Sequence, residues 1–372
     1  LSAMTLVAVT QHLALMWAAV EGTTLASAPL VYFYRRRGAL EATWKYLLVC
    51  SVGIALALLG TFFLGIAAAG SSAGGSDLTL AGLRRAAPSM ARPWLKAAFV
   101  LALVGYGTKM GLAPLHTWLP DTHSEAPSPV SALLSGALLN CAFLAILRFY
   151  QVCLASGDSE FARTLLVALG MGSLLLASAF MLSQRDYKRL FAYSSIENMG
   201  IIAVGMGLGG AASYGALLHA VNHSFCKAGL FFLAGNVLRS FGTTVAKEVR
   251  GILGRLPGTG VLLLALFLAI GGTPPFGPFW SELLIFQSAL GGGHAWLGIV
   301  FLSLLALAFL GMASVLLPML SGGPATPEPR SAERGLSILP PLALASGALV
   351  LGLYIPSFLA DALQRAAGVL GG

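Results

Sequence analysis

Charge is what this sequence has least of. Lysine, arginine, aspartate and glutamate make up only 10% of its 372 residues, while 57% are hydrophobic. A soluble domain carries roughly 25% charged residues, so this chain lacks the means to cover a water-facing surface, and its solvent must be largely lipid. Cysteine is scarce too. Cys50, Cys141, Cys153 and Cys226 are scattered within or beside apolar runs, with no C-x-x-C spacing. That argues against a metal site or redox pair and for small buried hydrophobes. The net charge of +8 invites a nucleic-acid reading. However, the basic residues form short clusters at the ends of apolar runs, with no aromatic-interleaved basic stripe, which is how membrane-protein loops are charged. A charged leader is also missing. The chain opens on Leu1, partway into an apolar run, with no basic n-region or cleavage site. A signal peptide is not expected, and an absent N-terminal segment is.

Apolar runs are plentiful. A spanning helix needs about 20 mostly apolar residues, and windows of that kind predict about ten spans. They fall near 11–33, 46–69, 93–118, 129–152, 162–183, 190–209, 211–238, 259–290, 295–320 and 336–360. Glycine is abundant, at 45 residues, as suits helices that approach closely in lipid. The expected fold class is therefore an all-α polytopic membrane protein. Three spans are interrupted: the third by Gly111 and Pro114, the start of the fourth by Ala126-Pro127-Ser128-Pro129, and the eighth by Thr273-Pro274-Pro275-Phe276-Gly277-Pro278. A break frees backbone groups that lipid cannot satisfy. Breaks beside buried charges therefore point to an ion path, although any one of them is also a packing kink.

Loop charge sets orientation. One set of alternating loops carries Arg35, Arg36, Arg37 and Lys45, then Arg185, Lys188 and Arg189, then Arg239, Lys247, Arg250 and Arg255, then Arg330 and Arg334. The opposite side has Arg84, Arg85, Arg92 and Lys96 in one longer loop. The first set is expected in the cytoplasm. Segment 70–92 reads as an irregular Gly/Ser-rich loop, and 321–335 as a flexible Pro/Glu/Arg-rich one.

A few ionisable residues fall inside the spans. Lys109 lies at a helix break, where a charge costs at least ~2.5–3.5 kcal/mol at the bilayer centre. It needs a partner, a hydrated cavity or a neutral state; snorkelling to a helix end is the plainer alternative. Glu21, in another span, is its expected counter-charge. His219, His223 and Lys227 recur at i, i+4 and i+8 and so share one helix face. Asn222 and Ser224 lie beside them. Imidazoles titrate near neutral pH and pass protons, and Lys227 disfavours the competing metal reading. Glu282 follows the second break as a membrane carboxylate. His116, Asp121, His123 and Glu125 cluster in a predicted loop that reads as a polar entrance or a hydrogen-bonded turn rather than a metal site. Glu197, just after Asp186, Lys188 and Arg189, reads either as a helix-end carboxylate or as part of the path. No metal or cofactor is expected.

At these residues the chain resembles a known family. The stretch Lys109-Met-Gly-Leu-Ala-Pro-Leu-His116-Thr-Trp-Leu-Pro-Asp121-Thr-His123-Ser-Glu125-Ala-Pro-Ser-Pro-Val-Ser-Ala-Leu-Leu134 is similar to the signature of proton-translocating antiporter-like membrane subunits. These occur in respiratory complex I, multi-subunit cation/proton antiporters and energy-converting hydrogenases. Arg185–Glu197 and His219–Lys227 support the resemblance. Glu21–Ala28, Ala39–Gly60 and Leu133–Cys141 resemble the hydrogenase-4 component F branch. The resemblance implies inverted five-helix repeats with broken helices. Residues 1–158 would be a partial first repeat and 159–320 the second, with 321–372 a loop and terminal span, and about three and a half N-terminal helices would be missing. It implies a proton path through Glu21, Lys109, His219, His223, Lys227 and Glu282. Where relatives carry lysine or histidine on the next helix, this chain has Asn140 and Ser135, and Asn198 stands where the hydrogenase branch suggests histidine. Ser135 and Asn140 would then order water in the central relay. The implied function is a non-catalytic, ion-translocating subunit of a redox-driven complex, without a redox centre of its own. It would lie in a bacterial or archaeal inner membrane beside other membrane subunits and a peripheral redox arm. An antiporter subunit without redox partners and a non-pumping scaffold are the alternatives.

Overall fold

A computed structural model of the chain describes residues 1–70, 77–293, 295–321 and 333–371. Of the predicted 70–92 loop, residues 71–76 lie outside the described residues, and Leu80–Ala86, capped by Thr79, is helical rather than irregular; most of the predicted 321–335 loop, Arg330 included, also lies outside. Those that are described form helices and connecting turns. In chain order these are α1 (Ser2–Val9), α2 (Leu13–Val31), α3 (Arg37–Ala69), α4 (Leu80–Ala86) and α5 (Arg92–Met110). Then come α6 (Trp118–Glu125), α7 (Ser128–Ser156), α8 (Ser159–Met181), α9 (Tyr187–Leu208), α10 (Ala211–Phe241) and α11 (Ile252–Arg255). The series closes with α12 (Pro257–Ile270), α13 (Gly277–Gly291), α14 (Ala295–Ser321), α15 (Gly335–Leu353) and α16 (Ser357–Val369). Among the described residues, six helical stretches are long and apolar enough to cross a membrane: Leu13–Tyr34, α3, α7, α8, α14 and α15. The chain is an all-helical, multi-pass membrane protein.

Several of the predicted spans are divided. The run at 93–118 is helical only to Met110, where Gly111 takes φ +86°. A side chain there would collide with Leu119, whose Cδ1 lies 2.5 Å from the position a Cβ would take, so glycine is required both by conformation and by space. The segment 116–125, expected as a loop, becomes helix from Trp118. Its Pro120 falls in the first turn, where a proline displaces no intrahelical bond. The run at 259–290 is two helices separated by the Thr273–Phe276 turn, and the run at 336–360 ends at Leu353, before Pro356. The backbone groups these breaks release find protein partners, as lipid requires. Ala113 N–H donates to Ser173 Oγ at 2.9 Å, and Trp118 Nε1 donates to the Thr108 carbonyl at 2.8 Å.

Glycine sets the tightest helix contacts. A Cβ on Gly105 of α5 would lie 2.5 Å from the Gly53 carbonyl of α3, and one on Gly170 of α8 would lie 2.8 Å from the Gly200 carbonyl of α9. Backbones pack directly at both crossings, as expected in lipid. Leu48, Val52 and Phe62 on α3, and Trp296 and Ile299 on α14, point outward. The polar residues turn inward instead: α9 is buried along almost its whole length, and α10 buries its histidines and Lys227.

Candidate ion path in the helical core

Lys109 occupies the last turn of α5 and is fully buried. Its Nζ donates to Thr24 Oγ1 at 2.9 Å and to the Tyr46 hydroxyl at 2.6 Å. It also lies over the Tyr46 ring at 4.4 Å and near the Trp118 ring at 5.8 Å, within the range at which aromatic faces stabilise a cation. The Tyr46 hydroxyl is itself 2.6 Å from Ser27 Oγ. The expected ion pair with Glu21 is corrected by this geometry. Glu21 is one turn from Thr24 on α2, but its Oε1 accepts from Ser51 Oγ at 3.0 Å and its Oε2 is buried without a partner. Two hydroxyl oxygens and two aromatic faces fill the ammonium's surroundings, and Ser51 draws the carboxylate toward α3. The two charges are neighbours without being a salt bridge.

The stripe on α10 is tied to three other helices. His219 Nε2 lies 3.0 Å from Asn198 Oδ1 on α9, and its Nδ1 lies 2.9 Å from Ser281 Oγ on α13. The Asn198 amide is oriented by Nδ2, which donates to the Ser194 carbonyl at 2.7 Å, so its oxygen faces the imidazole as an acceptor. Ser281 Oγ also donates to the Pro278 carbonyl at 2.8 Å. Asn198 Nδ2 and Ser194 Oγ each lie 3.3 Å from Glu197 Oε2, which places Glu197 inside the core rather than at a solvated helix end. Glu282, beside Ser281, folds back on the second break; any side chain at Gly272 would collide with its carboxylate.

Ser135 does two things. Residues Leu134–Leu138 form a π-turn within α7. Its carbonyl is 3.3 Å from His223 Nε2, which must donate because a carbonyl only accepts. Its hydroxyl is 2.8 Å from Ser195 Oγ. Ser195 Oγ and Lys227 Nζ both donate to the Phe191 carbonyl, each at 3.0 Å. His223, Ser135, Ser195 and Lys227 are thus gathered around two backbone carbonyls, those of Ser135 and Phe191. Asn140 lies to one side, with Nδ2 donating to Ser224 Oγ at 2.8 Å.

The cluster after the first break separates. Asp121 accepts from Lys45 Nζ at 3.0 Å and from Arg189 at 2.6 Å. With Glu125, Gly38 and Glu41 these residues line a 280 Å³ polar cavity at the rim. His116 packs edge-on against Tyr193 at 6.2 Å. His123 stacks on Phe231 at 4.7 Å, with both ring nitrogens buried and unpartnered. It sits deeper than the rim, within electrostatic reach of Lys188 and Lys227.

Three functional-looking residues were not singled out from sequence. Tyr46 and Thr24 hold Lys109, yet a tyrosine or threonine in an apolar helix carries no distinctive signal. Arg148 is different. It is a buried charge in the middle of α7, legible by the same rule as Lys109. It donates to the Ala8 carbonyl at 3.1 Å, to the Thr10 carbonyl and to Met16 Sδ at 3.5 Å, closing the interruption between α1 and α2. Lys188, read as a loop charge, is fully buried and donates to the Ser124 and Ala126 carbonyls at 3.0 and 2.6 Å.

Comparison with known proteins gives one consistent picture. Residues 10–353 match the family described as NADH:quinone oxidoreductase/Mrp antiporter, TM. The chain is 43% identical over 288 residues to a hydrogenase-4 component F homolog of Methylacidiphilum infernorum, covering 77% of this chain and 60% of that relative. It thus spans less than two thirds of that relative's length. It is 31% identical over 358 residues to NADH-quinone oxidoreductase subunit N 2 of Roseiflexus castenholzii, covering 92% of this chain and 69% of the relative. Among solved structures, a chain of an archaeal membrane-bound sulfane sulfur reductase superposes with a TM-score of 0.89 at 25% identity, covering 99% of this chain and 74% of that one.

Proposed function

This chain belongs to the transmembrane family of NADH:quinone oxidoreductase and Mrp antiporter subunits, and from that premise we propose that it conducts protons through its buried polar core as a membrane subunit of a redox-driven respiratory complex. The observation that carries this reading is Lys109. It is fully buried, its donors meet only hydroxyl oxygens, and Glu21, with one unsatisfied oxygen, sits one turn along α2 from the lysine's partner Thr24. Its charge is therefore held without an ion pair, and a movement of Glu21 changes the field at the ammonium. A partner subunit that moves α2 against α3 changes that field.

The proton released from Lys109 travels by way of water to Ser135 and Ser195, then to Lys227 and the α10 histidines, and leaves through Glu282. The rim cavity at Asp121 and Glu125, with His116 and His123 behind it, is the entrance. Glu197, beside Asn198 and the α10 histidine, adjusts the charge of this central stretch. Residues 1–158 and 159–320 act as two inverted halves, each carrying one broken helix, with 321–372 as a peripheral loop and terminal span. The partners are other membrane subunits and a peripheral arm that supplies redox energy. The location is a bacterial or archaeal inner membrane.

Sealed vesicles bearing the assembled complex test this. Lys109→Ala abolishes vesicle acidification while electron transfer continues; undiminished acidification in that variant overturns the reading. The family description also names Mrp antiporters, which supports a second reading, cation/proton exchange without redox partners. The subunits that co-purify decide between them.

A further inference from the structure

The outward face between α8, α9 and α14 holds a cavity of about 870 Å³ that the ion path does not use. Its character changes along its length. At the mouth, on the side of Arg92 and Lys96, lie Glu160 and Arg163, one turn apart at the start of α8. Deeper in, Val167, Met171 and Leu175 of α8 face Val300 and Leu304 of α14. From Glu160 to Leu175 the helix rises about 22 Å, at 1.5 Å per residue, which is more than half of the ~30 Å hydrocarbon core. Gly172 forms part of the wall, and a side chain there would meet open space. Trp296 stands at the mouth, largely exposed, where amphipathic rings prefer the headgroup level.

The two charges at the mouth are not paired with each other. Arg163 is held in place by its Nε, which donates to the Tyr150 hydroxyl at 3.0 Å, and by a bond from NH2 to the Gly371 carbonyl at 3.3 Å. A guanidinium has five donors, and among the described residues these two contacts leave the others open. Among the described residues the Glu160 carboxylate enters no ion pair, and its side chain is exposed. A fixed cation and a carboxylate above an apolar track fit a head group with a phosphodiester and a primary ammonium. An anionic head group meets repulsion from Glu160. We propose that this groove is a specific site for one zwitterionic phospholipid of the phosphatidylethanolamine class, with phosphate on Arg163, ammonium on Glu160 and an acyl chain along Gly172. This site is independent of the proton-path reading.

The test is native mass spectrometry of the complex isolated from its own membrane, delipidated and titrated with dioleoyl phosphatidylethanolamine or dioleoyl phosphatidylglycerol. The unmodified complex retains one phosphatidylethanolamine at this subunit in preference to phosphatidylglycerol by about tenfold, the scale of one charge contact. Gly172→Phe, whose Cβ meets no protein atom within 4 Å and whose ring extends into the groove, weakens retention by at least the same factor. Glu160→Gln narrows the head-group preference. If Gly172→Phe fails to assemble, Ala168→Trp on the exposed groove wall asks the same question. Unchanged retention in a groove-filled variant overturns the proposal, as does equal binding of both lipids. A cysteine placed at residue 168 that cross-links to a neighbouring subunit also overturns it, because the face is then a protein interface.

Discussion

Replacing Tyr46 with phenylalanine isolates one contact of the buried ammonium. The ring stays, so the cation–π contact at 4.4 Å and the packing against Trp118, whose ring centre is 4.9 Å away, are preserved. What goes is a single oxygen, which accepts from Lys109 at 2.6 Å and bonds Ser27 at 2.6 Å. A hydrogen bond to a charged group contributes about 1.5–3 kcal/mol, and each ~1.4 kcal/mol is a factor of ten in rate or population. Tyr46→Phe should therefore slow coupled proton uptake roughly ten- to hundredfold, short of the complete loss expected for Lys109→Ala. Ser27→Ala, which leaves the Tyr46 oxygen on Lys109 but removes its second partner, should fall between Tyr46→Phe and the parent. The assay is the initial rate of acidification in sealed vesicles, normalised to electron transfer in the same sample. A Tyr46→Phe rate within about twofold of the parent, well under the one-contact scale, refutes the idea that this hydroxyl holds the working position of the lysine.

Other perturbations test separate links. Gly105→Ala forces a methyl into the α3 backbone and should destabilise the purified protein by about 1–3 kcal/mol. Gly172→Ala adds the same methyl into open space and should stabilise it by up to ~1 kcal/mol through helix propensity; thermal unfolding followed by tryptophan fluorescence ranks the pair, and the reverse order contradicts the backbone-contact argument. Arg148→Leu strands the Ala8 and Thr10 carbonyls, each costing about 1–3 kcal/mol when buried unpaired, and should lower the same unfolding midpoint; a raised midpoint would mean that desolvating the guanidinium outweighs its bonds. Ser281→Ala should slow proton uptake while Ser281→Thr, which keeps the hydroxyl, restores it; equal rates in both variants assign Ser281 to packing.

The parts of this fold that could be read from sequence are those encoded locally. Lys109 and the α10 stripe stood out because a charge in an apolar run is conspicuous and helical spacing puts i, i+4 and i+8 on one face. The break at Gly111 was visible for the same reason. What needed three dimensions was the identity of neighbours. Glu21 is the right helix turn to look at, but Ser51, thirty residues on, takes its carboxylate, and Tyr46 takes the lysine. No periodicity announces that a tyrosine on one helix meets a lysine on another. The division of the run 259–290 was half legible: the prolines were seen, but hydropathy alone does not distinguish a kinked span from two helices end to end. Arg148 is legible by the same rule as Lys109, although Leu147 and Phe149 on either side make the run read as uniformly apolar.

The contacts of His219 carry a consequence for how the core handles charge. One ring nitrogen faces Asn198, an amide oxygen that accepts a hydrogen bond but has no proton to give and, being an amide, no tendency to take one. The other faces the Ser281 hydroxyl, which has a single hydrogen to point either at the ring or at the Pro278 carbonyl. Traffic through this imidazole therefore enters and leaves by the same door. In the proposed path His219 trades protons only on the side of Ser281 and its chain neighbour Glu282.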